Sequence, residues 1–152
     1  MDQREPTPIF DTDRVARRRA GAWRVLVVED DPGVRRSLER YLTEAGFEVM
    51  VAADVDEALD RLSGAAVSAA VVDMRMPDVT GRHRTGIEVL SYLRLQPQLS
   101  AVPAIIFTGF TPTPAQQADI DEYGGHVLLK GHSYAALVEK LDALLGGARS
   151  VR

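Results

Sequence analysis

A chain of 152 residues suits one domain, because a domain of that size buries roughly 70% of its unfolded surface and needs no staples. Apolar residues make up 45%, charged residues 26%, and the formal net charge is −4, which offers no bulk attraction to nucleic acid or anionic lipid. The absence of cysteine excludes disulfides and zinc–thiolate sites, and no apolar run approaches the roughly 18 residues of a membrane span or the core of a signal peptide, so a cytoplasmic protein is expected.

Residues 1–22 show no hydrophobic periodicity and mix Pro6, Pro8, Thr7 and Thr12 with charges, ending in Arg17-Arg18-Arg19. They read as a flexible, Arg-containing tail with one helical turn starting near Asp13, or, as a weaker reading, as a docking arm that uses the Arg cluster. Residues 24–28 form a continuous apolar run, as in a strand buried on both faces. Asp31 can cap a helix with Pro32 at its first position; Val34, Leu38, Tyr41, Leu42 and Ala45 follow at helical spacing and Gly46 stops it. Residues 47–52 read as a second strand. Asp54 with Glu57 makes a capping-box pattern ahead of Ala58, Leu59 and Leu62, with Gly64 as the stop.

Residues 67–72 make a third strand, and a long loop runs from Asp73 to Gly86. Ile87, Leu90, Tyr92, Leu93 and Leu95 mark a third helix. Residues 102–107 are a fourth strand with Pro103 near its start. Thr113 with Pro114 opens a fourth helix that ends at Gly124-Gly125. Residues 127–129 form a fifth strand. Ser133 caps a last helix carrying Leu137, Leu141, Leu144 and Leu145, and Gly146-Gly147 reads as its stop, leaving 147–152 as a tail.

Strict alternation of five strands and five helices predicts an α/β fold with a doubly wound parallel sheet, because parallel strands need right-handed crossovers. The functional site of such a sheet lies beyond the carboxyl ends of its strands. There the first strand ends in Glu29-Asp30, the third in Asp73, the fourth in Thr108 and the fifth in Lys130. Taken singly, each has a bland reading: helix capping for Glu29-Asp30-Asp31, a loop start for Asp73, a turn for Thr108, a solvated charge for Lys130. Together they bring three carboxylates, a hydroxyl and an ammonium to one edge. The chain has sixteen Arg but only two Lys, Lys130 and Lys140, so a Lys at such a position is informative. Clustered carboxylates call for protons or a cation, and a hard ion such as Mg²⁺ binds a few carboxylates while keeping waters and a phosphate oxygen. Asp73 can attack a phosphoryl donor. Lys130 can meet one phosphoryl oxygen and Thr108 another.

Four segments carry a family resemblance: Val25-Leu26-Val27-Val28-Glu29-Asp30-Asp31-Pro32, Val71-Val72-Asp73-Met74-Arg75-Met76-Pro77-Asp78, Ile106-Phe107-Thr108-Gly109 and Leu129-Lys130. In order and spacing they resemble response regulator receiver domains, over residues 23–146. The resemblance implies a flavodoxin-like sheet of order 2-1-3-4-5 and a phosphoprotein of two-component or phosphorelay signalling. Asp73 would be the phosphoacceptor, and Thr108 and Lys130 would contact the phosphoryl group. Asp30, with Glu29 directly or through water, Asp73 and the backbone carbonyl of Arg75 would hold Mg²⁺. The implied partner is a sensor histidine kinase or histidine phosphotransfer protein, with a downstream protein target; no DNA-binding domain is expected, and a homodimer is left open.

The chain departs from the pattern in three places. Gly131 follows the Lys where the family commonly has Pro, Val127 stands where it commonly has Tyr or Phe, and Gly81 and Gly86 compete for one family glycine, leaving Arg82-His83-Arg84-Thr85-Gly86 as an insertion. Two other functions stay open. One is a pseudo-receiver that never carries phosphate. The other is a haloacid-dehalogenase-type phosphatase, although that family wants a second Asp where Arg75 stands. A flavin-binding module is weaker, because no Ser/Thr-rich phosphate loop follows the first strand.

Overall fold

The computed structural model describes residues 10–77, 83–131 and 133–150. Five parallel strands, β1 (Arg24–Val28), β2 (Glu48–Ala52), β3 (Ala69–Val72), β6 (Ala104–Thr108) and β7 (His126–Leu129), lie in the order β2-β1-β3-β6-β7. With the two short strands of a separate pair left out, this is the expected 2-1-3-4-5. The register is Val25↔Val49 and Val25↔Ala69 on the two sides of β1, and Val72↔Ile106 and Thr108↔Leu129 further along the sheet.

The continuous apolar runs have a simple cause. β1, β3 and β6 are central strands with a helical layer on each face, so odd and even residues are both buried. Leu26, Val28, Ala70, Val72, Ala104 and Ile106 face α3 (Val55–Gly64), α4 (Gly86–Leu95) and α5 (Pro114–Glu122). Val25, Val27, Ala69, Val71, Ile105 and Phe107 face α2 (Pro32–Glu44) and α6 (Tyr134–Ser150). Asp31, Asp54 and Thr113 cap their helices as expected, although the Glu57 side chain accepts from Ala53 N–H rather than closing a capping box on Asp54. The Asp31 carboxylate accepts from Gly33 and Val34 N–H, Asp54 from Glu57 N–H, and Thr113 forms a capping box with Gln116.

Three elements differ from expectation. First, the described residues hold six helices rather than five. Thr12–Gly21, within the segment expected as a tail, is a helix, α1, tied by Arg18 to α6 and to the end of α2. Its anchor is polar. Arg18 is 6% exposed and donates to both oxygens of Asp142 on α6 at 2.9 and 2.6 Å and to the Ala45 carbonyl at 2.7 Å, with its guanidinium 5.5 Å from the Phe47 ring centre. Gly46, at φ +109°, lets the α1 backbone come close: a Cβ there would stand 2.6 Å from the Val15 carbonyl oxygen. Second, part of the expected loop after Asp73 is two short antiparallel strands, β4 (Arg75–Pro77) and β5 (His83–Thr85), paired Arg75↔Thr85; residues 78–82, with Gly81 and Arg82, lie outside the described residues. Third, α6 continues through Gly146 and Gly147 to Ser150. Glycine ends a helix by turning left-handed, and among the described glycines only Gly46 and Gly124 have positive φ.

Candidate functional site

The carboxyl ends of the strands gather the expected groups. Asp73 N–H donates to the Val28 carbonyl at 2.9 Å, and Glu29 N–H to the Ala52 carbonyl at 3.0 Å, which extends the ladder one residue beyond each strand and fixes the two acids side by side. Lys130 N–H donates to the Thr108 carbonyl at 2.7 Å and is held by the end of β6 in the same way. The Lys130 ammonium then reaches across the strand ends, 2.8 Å from Glu29 Oε1 and 3.5 Å from Asp73 Oδ1. Oxygens of Glu29, Asp30 and Asp73 lie within 4.8 Å of one another.

Glu29 is 3% exposed. Burial pushes its carboxyl up to about 7; the hydrogen bond from Lys130 pulls it back, and the charge of Asp73 adds to the rise. Burial also raises Asp73, against the pull of Lys130. Burial works to lower Lys130, but its hydrogen bond to Glu29 and the charge of Asp73 outweigh that and hold it above its usual value. The cluster is therefore short of positive charge. One ammonium meets two of the three acids, Glu29 and Asp73, and the donor set is hard oxygen, which suits a small divalent cation.

Thr108 is fully buried, and its hydroxyl accepts from Phe110 N–H at 3.4 Å. The Arg75 guanidinium lies 4.6 Å from the Phe110 ring centre, while the Arg75 backbone opens β4. Asp31 is absorbed in capping α2. Two contributors were not read from the sequence. Arg35, in the first turn of α2, donates to the Glu29 and Asp30 carbonyls at 3.0 and 3.3 Å and braces the acidic loop. Phe110 links the Thr108 loop to Arg75. Spacing could have flagged Arg35, four residues past the helix cap; nothing local marks the pairing of Arg75 with Phe110. Gly86 is the glycine that the site requires, since a Cβ there would run into the Asp73 carbonyl oxygen.

Comparison with known proteins agrees with this fold. A model of the response regulator receiver domain matches residues 25–142. The chain is 34% identical over 122 residues to the transcriptional regulatory protein PrrA of Mycobacterium tuberculosis, covering 80% of this chain and 49% of PrrA. It is 27% identical over 121 residues to response regulator RR06 of Streptococcus pneumoniae, covering 80% of this chain and 52% of RR06. The chain thus spans about half the length of these regulators. Among solved structures, the Vibrio cholerae chemotaxis protein CheY4 superposes with a TM-score of 0.72 at 29% identity, covering 81% of this chain and 98% of CheY4. The Thermotoga maritima response regulator TrrA, in complex with Mg²⁺ and BeF, does so with a TM-score of 0.67 at 26% identity, covering 81% and 99%.

Proposed function

The chain belongs to the response regulator receiver domain family, and from that membership we propose that it takes a phosphoryl group from a phosphohistidine of a partner protein onto Asp73. What carries the reading is the ammonium of Lys130 set 2.8 Å from Glu29 and 3.5 Å from Asp73, at the edge where three acids converge. A carboxylate oxygen of Asp73 attacks phosphorus; the new bond is Oδ–P, the bond that breaks is P–N, and the imidazole leaves. The Asp73 carboxylate is aimed by its own N–H, tied to Val28. Lys130 would shift its ammonium from Glu29 to a phosphoryl oxygen as charge moves outward. Thr108 would give its hydroxyl to a second oxygen. Glu29, Asp30, Asp73 and the Arg75 carbonyl would hold Mg²⁺, which when bound offsets the charge of the transferring group. Water attack on phosphorus returns Asp73 to the carboxylate, so the protein is a signalling phosphoacceptor rather than an enzyme with a turnover substrate. A histidine kinase or histidine phosphotransfer protein is the donor, and a protein target reads the result. No helix among the described residues is long and apolar enough to cross a membrane.

The test is intact mass after incubation with acetyl phosphate, with and without Mg²⁺. One base-labile phosphoryl adduct is expected, dependent on Mg²⁺, lost in Asp73→Asn and strongly slowed in Lys130→Ala. Absence of any adduct in the wild type favours the pseudo-receiver reading, to which Val127 and Gly131 point. Labelling that persists in Asp73→Asn removes Asp73 as the acceptor.

A further inference from the structure

α1 brings to the domain surface a face that the receiver chemistry does not use. Between α1 and the C-terminal half of α6 lies a groove of about 390 Å³, lined among others by Arg14, Arg17, Arg18, Trp23, Asp142 and Leu145. That volume falls at the lower end of ligand-sized clefts, roughly 300–1,000 Å³. Its floor is apolar: Leu145 is buried and Trp23 half-buried. Its walls are cationic. Asp142 is the one carboxylate among the described lining residues, and Arg18 neutralises it through two hydrogen bonds. Arg14 and Arg17 are exposed and make no ion pair with a described residue. Asp11 feels the field of both but is committed to capping α1. Two guanidinium groups without an ion pair to a described residue thus stand over an aromatic floor, on a chain whose net charge is −4.

We propose that this groove is a docking site for an acidic segment of a partner protein. Guanidinium groups take carboxylates in bidentate fashion, and the Trp23–Leu145 floor takes an apolar side chain between them. The apolar floor and the negative net charge both disfavour a nucleic acid backbone, whose binding scales with the number of phosphates neutralised. Trp23 immediately precedes the start of β1, so the groove lies at the edge where strands begin, while Asp73 lies at the edge where they end. A partner held here leaves the acceptor open, which makes the groove a tether and not a competitor for the phosphoryl donor.

Trp23 is the only tryptophan, and its fluorescence reports on the groove directly. The full chain is titrated with a blocked Glu-Leu-Glu-Glu-Leu-Glu peptide, with the same peptide carrying Lys for Glu, and with a duplex oligonucleotide. Saturable change with the acidic peptide alone is expected. Arg14→Glu with Arg17→Glu should weaken it at least about tenfold, as charge reversal across an interface does, and raising salt from about 0.05 to 0.5 M should weaken it too. Both positions are exposed, so the urea midpoint and Asp73 labelling should be unchanged. Failure of labelling in the wild type would bear on the phosphoacceptor reading and not on the groove. Equal response in wild type and double variant, or no saturable response, overturns the proposal. So does preference for the oligonucleotide, or a wild-type dimer that the double variant abolishes, which would give the groove to a second copy.

Discussion

Removing the Arg18 side chain should detach α1 from the domain. Arg18→Ala deletes two charge-assisted hydrogen bonds to Asp142 and one to the Ala45 carbonyl, together with the stem packed beside Phe47. Breaking a fully buried pair costs about 3–5 kcal/mol, because the surviving charge is stranded. Here the Asp142 side chain is 33% exposed and recovers part of its hydration, so the expected loss is about 2–3 kcal/mol. In a domain of this size that lowers Tm by roughly 5–10 °C. Asp142→Ala should cost a similar amount, since it leaves the buried Arg18 guanidinium with the Ala45 carbonyl as its remaining hydrogen-bond acceptor. The double variant should cost less than the sum, because the two residues act as one unit. Urea melts followed by both far-UV dichroism and Trp23 fluorescence check this. If α1 leaves before the rest unfolds, fluorescence changes first. A midpoint shift worth under about 0.5 kcal/mol in Arg18→Ala, the size of an ordinary surface change, would refute the claim that Arg18 holds the helix.

Two further outcomes follow from the structure. Gly86→Ala places a methyl group into the Asp73 carbonyl oxygen and 2.8 Å from Val72 Cγ1; it should destabilise by at least roughly 1–3 kcal/mol and slow labelling of Asp73, whereas normal labelling with an unchanged melt would show that the loop yields freely. His126 is held below 6.5 by burial and then by the charges of Lys140 and Arg94. Its neutral form therefore contributes stability that is present above 6.5 and lost as pH falls through the lower folded value. Glu29 and Asp73 act with the opposite sign, because their raised folded values favour stability at low pH that is lost as pH rises, for Glu29 through about 7. Comparing wild type with His126→Gln in urea melts across this range isolates the histidine: the variant should gain relative stability as pH falls, and parallel curves would discard the effect.

The sheet was legible because its central strands have no solvent face, so apolar runs such as Val25-Leu26-Val27-Val28 carry the signal without periodicity. The acidic set was legible for a different reason: in a doubly wound sheet the strand ends converge, so Glu29, Asp73 and Lys130 could be brought together without knowing a single contact. α1 was not legible, because apolar periodicity is the ordinary mark of a packed helix and its deepest residue is an arginine whose partner lies 124 positions away. The β4–β5 pair was missed because Arg75-Met76-Pro77 and His83-Arg84-Thr85 lack the β-branched alternation of a strand. The end of α6 was misplaced because two adjacent glycines weaken a helix without obliging it to stop.

The departures at Val127 and Gly131 leave open where a phosphoryl signal is felt, and the geometry around Thr108 narrows it. Val127 pairs with Ile106 in the sheet and is half-buried against the core, with no ring to swing. The aromatic tied to Thr108 is Phe110, whose N–H reaches the Thr108 hydroxyl at 3.4 Å and whose ring lies under the Arg75 guanidinium. Drawing Thr108 toward a phosphoryl oxygen lengthens a bond already at the limit of one and loosens Phe110. An exposed cation–π contact is worth about 0.5–1 kcal/mol, whereas a hydrogen bond to a charged group is worth about 1.5–3 kcal/mol, so the phosphoryl contact can prevail over the resting one. Addition of beryllofluoride with Mg²⁺ should therefore shift the amide of Phe110 and the guanidinium of Arg75 more than the amide of Val127. Arg75→Ala should shift the unliganded Phe110 amide part of the way toward its liganded position. If Phe110 stays still while Val127 moves, the signal leaves through β7, and the link from Thr108 to Arg75 plays no part in it.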